Sequence, residues 1–230
     1  MPKVKIFAIN MANKKIRQTI MADIHSILSK KEISKANHFK KKADKRTYII
    51  GKYLTKKIIS EYLKVEPENI TVEADKNGRP HLHKPKISRF DFNLSHSGDW
   101  IVFAFVGAGQ IGIDIEKIRP INLRIAREYF TPSEQSYAFN DKTLDNFYKL
   151  WTLKESYTKA IGKGLSFPLK KCEFIFKSNR VLLKVKNKNT TKWSFKTFKI
   201  DRIYQIAVCA DKKSAIDDII INKIPTLKTS

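Results

Sequence analysis

In the first half of the chain the hydrophobic positions alternate, then repeat at helical spacing, then alternate again. Residues 4–9 predict a strand, residues 16–28 a helix, and residues 34–63 a second helical region. Between residues 90 and 106 an alternating stretch, a Ser-Gly-Asp turn and an apolar run follow one another. That pattern is typical of a β-hairpin.

The same order of elements begins again after a Gly-Ala-Gly break near the middle of the chain. The apolar positions predict a strand at 111–116, helices at 123–129, 134–139 and 144–161, and strands at 174–176, 181–185, 193–198 and 204–210. Each half therefore runs from a strand through helices to strands. We expect an α+β fold of two similar halves, residues 1–107 and 108–230, with a site in the cleft between them.

Composition narrows the class of protein. The 230 residues are 42% hydrophobic, which excludes a disordered polycation, and 46 Lys+Arg against 22 Asp+Glu give a net charge of +24. Such a charge suits nucleic acid, a phosphorylated small molecule or an acidic protein as partner, although compositional bias explains scattered lysines equally well. Without an apolar run of membrane length or a cleavable leader, we expect a soluble cytoplasmic protein. Cys172 and Cys209 lack metal or redox spacing, so we expect buried, reduced thiols.

Two carboxylates project from one face of the strand at 111–116. Asp114 and Glu116 alternate with isoleucines, and Gly112 on the same face leaves room for a ligand to approach the backbone. At strand spacing the two lie about 6–7 Å apart, and they raise each other's pKa unless a cation lies between them. The pattern fits either a divalent-metal site or an ordinary solvated strand face.

A helical stripe and a glycine turn form the second candidate cluster. Trp151, Glu155 and Lys159 follow at i, i+4 and i+8, so they share one helix face. The aromatic residue favours a half-buried stripe over a surface Glu-Lys pair. The Gly-Lys-Gly turn at 162–164 suits a phosphate, although it matches no P-loop.

Two further motifs bear polar groups. Ser95 and His96 are adjacent on a predicted strand and point to opposite faces, which favours anion binding over a hydrolase pair. Residues 78–80, Gly-Arg-Pro, form a tight turn. His81 and His83 alternate with Leu82 just after this turn, but the sequence offers no third ligand, so we do not expect a metal there.

Taken in order, these motifs resemble the signature of the surfactin-type 4'-phosphopantetheinyl transferases. The series is Gly-Arg-Pro, Phe-Asn-Leu-Ser-His-Ser-Gly, Ile-Gly-Ile-Asp-Ile-Glu and Trp-Thr-Leu-Lys-Glu-Ser-Tyr-Thr-Lys, and the resemblance extends from about Ser29 to Ala210. It implies a pseudo-twofold α+β monomer whose two halves enclose coenzyme A and Mg²⁺ at their junction.

The resemblance also implies site residues. The metal carboxylates would be Asp114, Glu116 and Glu155; the catalytic residues Glu155 and Lys159; and the coenzyme-binding residues Lys31, Lys35, Arg46, Thr47, Gly78, Arg79, Pro80, Ser95, His96, Lys154 and Lys159. Trp151 and Lys154 would complete the wall of the site. Members of the family usually have lysine in place of Arg79, and the placements of Lys31, Lys35, Arg46 and Thr47 depend on a one-residue gap.

The implied reaction transfers 4'-phosphopantetheine from coenzyme A to a serine hydroxyl of an acidic acyl or peptidyl carrier protein, and releases adenosine 3',5'-bisphosphate. The base would be Glu155 or a magnesium-bound water that it orients. Residues 117–130 are a candidate docking surface, or an ordinary amphipathic helix; their relevant side chains are Arg119, Ile121, Leu123, Arg124, Arg127 and Phe130.

Two rival functions remain open. A nucleic-acid-binding protein without enzymatic activity fits the charge, but unpaired carboxylates repel phosphate and no nucleic-acid-binding motif is present. Another Mg²⁺-dependent phosphotransferase would need a P-loop or kinase motifs, which the sequence lacks. The resemblance therefore favours a monomer without nucleic-acid or membrane partners.

Overall fold

The computed structural model describes residues 2–122, 124–177 and 180–223. Its helices are α1 Lys14–Ile27, α2 Lys30–Asn37, α3 Lys42–Leu63, α4 Arg124–Tyr129, α5 Pro132–Phe139 and α6 Asp145–Ala160. Its strands are β1 Lys3–Asn10, β2 Thr71–Ala74, β3 Pro80–Lys84, β4 Asp91–Ser97, β5 Trp100–Val106, β6 Ile111–Lys117, β7 Cys172–Lys177, β8 Arg180–Val185, β9 Lys188–Thr190, β10 Trp193–Ile200, β11 Tyr204–Asp211 and β12 Ala215–Ile221. Within these ranges, no helix combines the length and apolarity needed to cross a bilayer.

The two halves repeat one sheet topology, which confirms the predicted α+β fold of similar halves. In the first half β5 pairs antiparallel with both β1 and β4; in the second, β11 pairs antiparallel with both β6 and β10. A long helix, α3 or α6, precedes the closing hairpin of each half. Strand β12 pairs parallel with β1 and so joins the first sheet. The boundary after residue 107 stays a prediction.

Side chains alternate across each sheet and build four layers. On β1, Phe7 and Ile9 pack in a core with α1 and α3, whereas Val4 and Ile6 face β6 and β11 of the second sheet. The opposite face of the second sheet packs against α6, in a third core that includes Cys209. Both sheets are therefore covered on both faces, which explains why every residue of β5 is buried.

One helical prediction was wrong in its bounds. The region predicted at 34–63 consists of two helices, α2 and α3. A capping box between Ser29 and Glu32 starts α2 early, and the N–H of His38 donates to the Lys35 carbonyl and closes its last turn. The short strands β2, β3 and β9 and the terminal strand β12 were not predicted.

The free cysteines are where the sequence predicted them. Cys172 and Cys209 are both unpaired and fully buried. Burial raises the pKa of Cys172 to about 11, so its thiol stays protonated and unreactive at neutral pH.

Side chains of β4 join the two halves. The Asp91 carboxylate accepts the N–H of Ile111 at 2.9 Å, and the Asn93 side-chain oxygen accepts the N–H of Ile113 at 3.0 Å. Further along, the Ser97 hydroxyl accepts the N–H of Lys117 at 3.0 Å. The polar face of β4 thus takes the place of a backbone ladder to β6, and it sets the register of the two strands at the junction.

Candidate active site

Helix α6 packs unusually close to β6 at Gly112. A Cβ on Gly112 would lie 2.0 Å from the carbonyl oxygen of Ser156 and 2.5 Å from the backbone nitrogen of Ala160. The expectation that Gly112 leaves room for a ligand was therefore wrong, because the helix backbone occupies that space. The close approach brings Glu155 of α6 to Asp114 and Glu116 of β6.

These three carboxylates repel one another. Burial, followed by the charges of Asp114 and Glu116, raises the pKa of Glu155 to about 7. Burial and then the Asp114 charge also raise the pKa of Glu116. Asp114 Oδ2 and Glu155 Oε1 are buried and have no hydrogen-bond partner among the described residues. Three clustered carboxylates with two unpaired oxygens fit a hard cation with oxygen ligands.

Lys159 supplies the nearest positive charge. Its Nζ donates to Asp114 Oδ1 at 2.7 Å and to the Ser95 hydroxyl at 2.9 Å. The Ser95 hydroxyl itself donates to Asp114 Oδ1 at 2.8 Å. The structure therefore brings together four predicted site residues, Ser95, Asp114, Glu155 and Lys159, from three different elements.

Ser95 and His96 do not form a catalytic pair. Ser95 is buried against Asp114, whereas the ring of His96 is exposed on the other face of β4. Partial desolvation and then the Lys159 ammonium lower the pKa of His96, which favours its neutral form. The predicted opposite orientation of these two side chains is confirmed.

The Gly-Arg-Pro turn lies against the end of α6, but the side chain of Arg79 points inward. Its guanidinium donates twice to Asp91, at 2.9 and 2.8 Å, and also to the carbonyls of Lys159 and Ile111. Four of its five N–H groups are thus engaged within the protein. Arg79 therefore ties the two halves together.

A cavity of about 210 Å³ opens beside this turn. The amide of Asn77 donates to the carbonyl of Gly162 at 2.7 Å, so the two glycine-containing turns predicted from the sequence touch each other. The cavity is lined by Asn77, Gly78, Arg79, Pro80, Asn93, Leu94, Lys159, Gly162 and Gly164. It therefore reaches Lys159, which pairs with Asp114 of the carboxylate cluster.

Lys154 was wrongly predicted to bind the coenzyme. Its side chain is fully buried, and Nζ donates to the carbonyls of Leu169 and Cys172 and pairs with Glu134 at 2.9 Å. These three partners use all three N–H groups of the ammonium. One residue along an α-helix turns the side chain by about 100°, so Lys154 points into the core while Glu155 points at the site.

The predicted coenzyme-binding cations of α2 and α3 are exposed. Lys31 and Lys35 are exposed on α2, and Arg46 lines a separate cavity of about 260 Å³ with residues of α1. Thr47 is half-buried on the first turns of α3. Nothing in these contacts tests their predicted role, so it stays a prediction.

The segment 117–130 adjoins the cluster through a cavity of about 160 Å³. This cavity is lined by Glu116, Arg119, Ile121, Ile125, Phe147, Tyr148 and Trp151. Phe130 belongs to the core, packed 5.2 Å from Phe147 between ring centres, so its proposed place on a docking surface was wrong. Leu123 lies outside the described residues. Arg119, Arg124 and Arg127 are exposed.

Sequence reasoning missed Asp91 and Glu134. Asp91 fixes both Arg79 and the Ile111 amide, and the alternation of polar residues along β4 was the signal that could have found it. Glu134 had a signal as well, because Thr131 and Glu134 have the spacing of a capping box, which the structure forms.

Comparison with known proteins supplies independent information. A family model described as "4'-phosphopantetheinyl transferase superfamily" matches residues 110–209, and one described as "4'-phosphopantetheinyl transferase, N-terminal" matches residues 16–107. The chain is 34% identical over 220 residues to 4'-phosphopantetheinyl transferase ffp of Bacillus subtilis, with 94% of this chain and 96% of the relative covered. It is 32% identical to 4'-phosphopantetheinyl transferase Sfp of Bacillus subtilis strain 168, with the same coverage.

One solved structure is a more distant match. A holo-(acyl-carrier-protein) synthase from Bacillus anthracis, in complex with CoA (3',5'-ADP), matches with a TM-score of 0.37 and 19% identity, over 44% of this chain and 94% of that chain.

Proposed function

The chain belongs to the 4'-phosphopantetheinyl transferase superfamily, and we propose that its substrates react at the cluster of Asp114, Glu116 and Glu155. The enzyme transfers 4'-phosphopantetheine from coenzyme A to a serine hydroxyl of a carrier protein and releases adenosine 3',5'-bisphosphate. The serine oxygen forms a bond to the phosphorus that bears pantetheine, and the bond from that phosphorus to the bridging oxygen breaks.

We propose that Asp114, Glu116 and Glu155 hold Mg²⁺. The two unpaired oxygens, Asp114 Oδ2 and Glu155 Oε1, are the observation that carries this proposal, because a buried charged carboxylate without a donor is costly and a bound cation would offset that cost. All three ligands are oxygen donors, which suits Mg²⁺. Bound there, the ion would neutralise the charge that develops on the pyrophosphate.

Ser95 and Lys159 would bind the phosphate oxygens. Both side chains donate a hydrogen bond to Asp114 Oδ1, Ser95 from its hydroxyl and Lys159 from its ammonium. An ammonium held in a half-buried site makes strong, charge-assisted hydrogen bonds to phosphate. Lys159 would thus stabilise the negative charge on the leaving group, and His96, whose pKa partial desolvation and the Lys159 ammonium lower, would contribute a neutral donor.

Glu155 is our candidate for the base that accepts the serine proton. Burial and the Asp114 charge raise the pKa of Glu155 to about 7 in the metal-free protein, and a bound cation would lower it and favour the carboxylate form that a base needs. A water oriented by Glu155 is the alternative acceptor. Either route requires the carboxylate of Glu155 on the side of the serine hydroxyl.

The nucleotide of coenzyme A would occupy the cavity beside the Gly-Arg-Pro turn. Gly78 has φ +81°, a left-handed conformation that suits glycine, and its lack of a side chain leaves the turn backbone uncovered. Arg79 positions this turn through Asp91 rather than binding the ligand itself. Lys31, Lys35, Arg46 and Thr47 are our candidates for the 3'-phosphate.

The carrier protein would dock on the segment 117–127, beside the cavity that ends at Glu116. The exposed Arg119, Arg124 and Arg127 favour an acidic partner, and the apolar lining of the cavity suits a hydrophobic side chain from it. We expect the enzyme to work as a monomer, because the described chain contributes every group named here. Two buried, unpaired cysteines suit a reducing compartment such as the cytoplasm.

The reaction can be tested by weighing the carrier. The full-length protein is incubated with coenzyme A, Mg²⁺ and several apo carrier proteins, and the mass of each carrier is measured. We expect the phosphopantetheinyl mass on at least one carrier, and none when Mg²⁺ is removed by a chelator. A mass gain that survives complete removal of divalent ions would exclude the metal role of the cluster.

A further inference from the structure

The β2–β3 hairpin carries two histidines and a glutamate on one face. His81 and His83 are two residues apart on β3, so both point the same way, and Glu73 lies directly opposite His81 on β2. The other face of the hairpin carries Val72 and Leu82, which pack on the first core. The three polar side chains therefore face away from that core, together.

These side chains converge. One potential ligand atom from each of Glu73, His81 and His83 lies within 4.8 Å of the others, and His83 Nδ1 is 3.4 Å from Glu73 Oε2. In the described part of the chain, no other group of three histidines, cysteines or acidic residues meets this limit. His81 Nδ1 is buried and has no hydrogen-bond partner among the described residues. A buried ring nitrogen without a partner is costly unless something binds it.

We propose that Glu73, His81 and His83 form a second divalent-metal site, suited to Zn²⁺. Two imidazoles and a carboxylate are ligands that Zn²⁺ and its neighbours among the transition metals prefer, whereas Mg²⁺ prefers oxygen alone. Three protein ligands leave a position for water or another group. The site is separate from the carboxylate cluster at Asp114, to which it contributes no residue.

A metal at this position would tie β2 to β3. The two strands form a sheet of their own, and an isolated two-stranded hairpin has little stability by itself. The turn between them contains Arg79, whose backbone N–H donates to the Asp75 carboxylate. Cross-linking the strands would therefore hold the turn and the hairpin as one unit.

Zinc titration of the metal-stripped, full-length protein tests the site. We expect one equivalent of Zn²⁺ to bind, and Co²⁺ to give the visible absorption of a four- or five-coordinate site with nitrogen and oxygen ligands. Glu73→Gln and His83→Ala change partly exposed side chains, and each should weaken binding about tenfold or more, because losing a ligand costs at least as much as losing a partner of a ligand. Circular dichroism checks that both variants fold.

Three control variants separate this site from others. His25→Ala and His38→Ala remove exposed histidines elsewhere and should leave Zn²⁺ binding unchanged. Glu155→Gln should also leave it unchanged, since that residue belongs to the carboxylate cluster. The proposal is overturned if the parent protein binds no Zn²⁺, if folded Glu73→Gln or His83→Ala binds as tightly as the parent, or if Glu155→Gln alone abolishes binding.

Discussion

The ammonium of Lys159 lies 2.7 Å from Asp114 Oδ1 and balances one of three clustered carboxylates. The remaining charge has no counterpart, because Asp114 Oδ2 and Glu155 Oε1 accept no hydrogen bond from the described residues. An ion bound by these carboxylates would weaken the hold of Asp114 on Lys159 and free the ammonium for a phosphate. The pair therefore links metal binding to substrate binding.

Replacing this ammonium should impair the chemistry more than the fold. We expect Lys159→Met to reduce kcat about 10²-fold, in the range seen when one preorganised electrostatic donor is lost. Lys142→Met, at an exposed lysine, is the matched control and should keep full activity. Steady-state transfer rates with a saturating carrier provide the measurement. Near-normal kcat in a folded Lys159→Met protein would remove Lys159 from the catalytic residues.

Glu155→Gln should abolish transfer while the protein stays folded. The amide can neither accept the serine proton nor supply the charge that a metal needs, so we expect a loss of at least about 10²-fold. Glu68→Gln, at an exposed glutamate, is the control for the loss of one negative charge. Carrier mass spectra and circular dichroism are measured together. Activity retained by Glu155→Gln would contradict both roles given to this residue.

The same variant should change the pH dependence of stability in metal-free buffer. The pKa of Glu155 rises from 4.5 in the unfolded chain to about 7 in the folded protein, so the folded state holds a proton that the unfolded state has lost. The free energy of unfolding should therefore fall as pH rises from about 4.5 to 7, and Glu155→Gln should remove that part of the fall.

Urea unfolding of both proteins at pH 5 and pH 8 measures this difference. At pH 8 we expect Glu155→Gln to be more stable than the parent by about 1–3 kcal/mol, since each pKa unit corresponds to about 1.4 kcal/mol. Added Mg²⁺ should stabilise the parent and not the variant. Equal stability of the two proteins at pH 8 without metal would show that burial and the neighbouring carboxylates do not raise the pKa of Glu155.

Gly112 should tolerate no side chain. Gly112→Ala places a Cβ within 2.0 Å of a backbone oxygen of α6, which cannot be relieved by a side-chain rotation. We expect the free energy of unfolding to fall by about 3 kcal/mol or more, which is the upper end of the range for overpacked cores. Gly51→Ala is the control: its Cβ would meet only Leu94, at 3.7 Å, and alanine should stabilise helix α3 by about 0.5–1 kcal/mol. The thermal unfolding temperatures of both variants test this prediction, which a Gly112→Ala protein as stable as the parent would contradict.

Much of this fold was predictable from local patterns. The isoleucine alternation of β6 and the Trp151-Glu155-Lys159 stripe of α6 each fixed which side chains share a face, and the motif order indicated the family that the comparisons confirm. Periodicity indicates which side chains share a face because it reflects the geometry of a single helix or strand. It therefore placed Asp114 and Glu155 correctly without any knowledge of the tertiary structure.

Partners in tertiary structure could not be predicted in the same way. Lys154 and Glu155 are neighbours in one motif, yet one is buried against Glu134 and the other faces the site. The approach of α6 to Gly112 depends on packing between distant elements, and so does the meeting of Glu73 with His81 across a hairpin that was not predicted. Such contacts depend on which elements lie together, and a single sequence does not specify this.

Arg79 provides the last test, because sequence and structure assign it different roles. As a ligand for the nucleotide, its charge would matter and lysine would serve. If Arg79 instead joins Asp91 to the backbone carbonyls of Lys159 and Ile111, the planar guanidinium matters. An ammonium cannot reproduce four hydrogen bonds in that geometry. We expect Arg79→Lys to lower the free energy of unfolding by about 1–3 kcal/mol, and the exposed Arg180→Lys to leave it unchanged.

A double-mutant cycle identifies the partner. If Arg79 acts through Asp91, then Arg79→Lys and Asp91→Asn should each lower the free energy of unfolding. The double variant should lose clearly less stability than the two single losses added together. The Michaelis constant for coenzyme A should rise in all three variants, because each loosens the Gly-Arg-Pro turn. Additive losses of stability would show that the two residues act independently. An unchanged stability with weaker coenzyme binding would restore Arg79 to the role of a direct ligand.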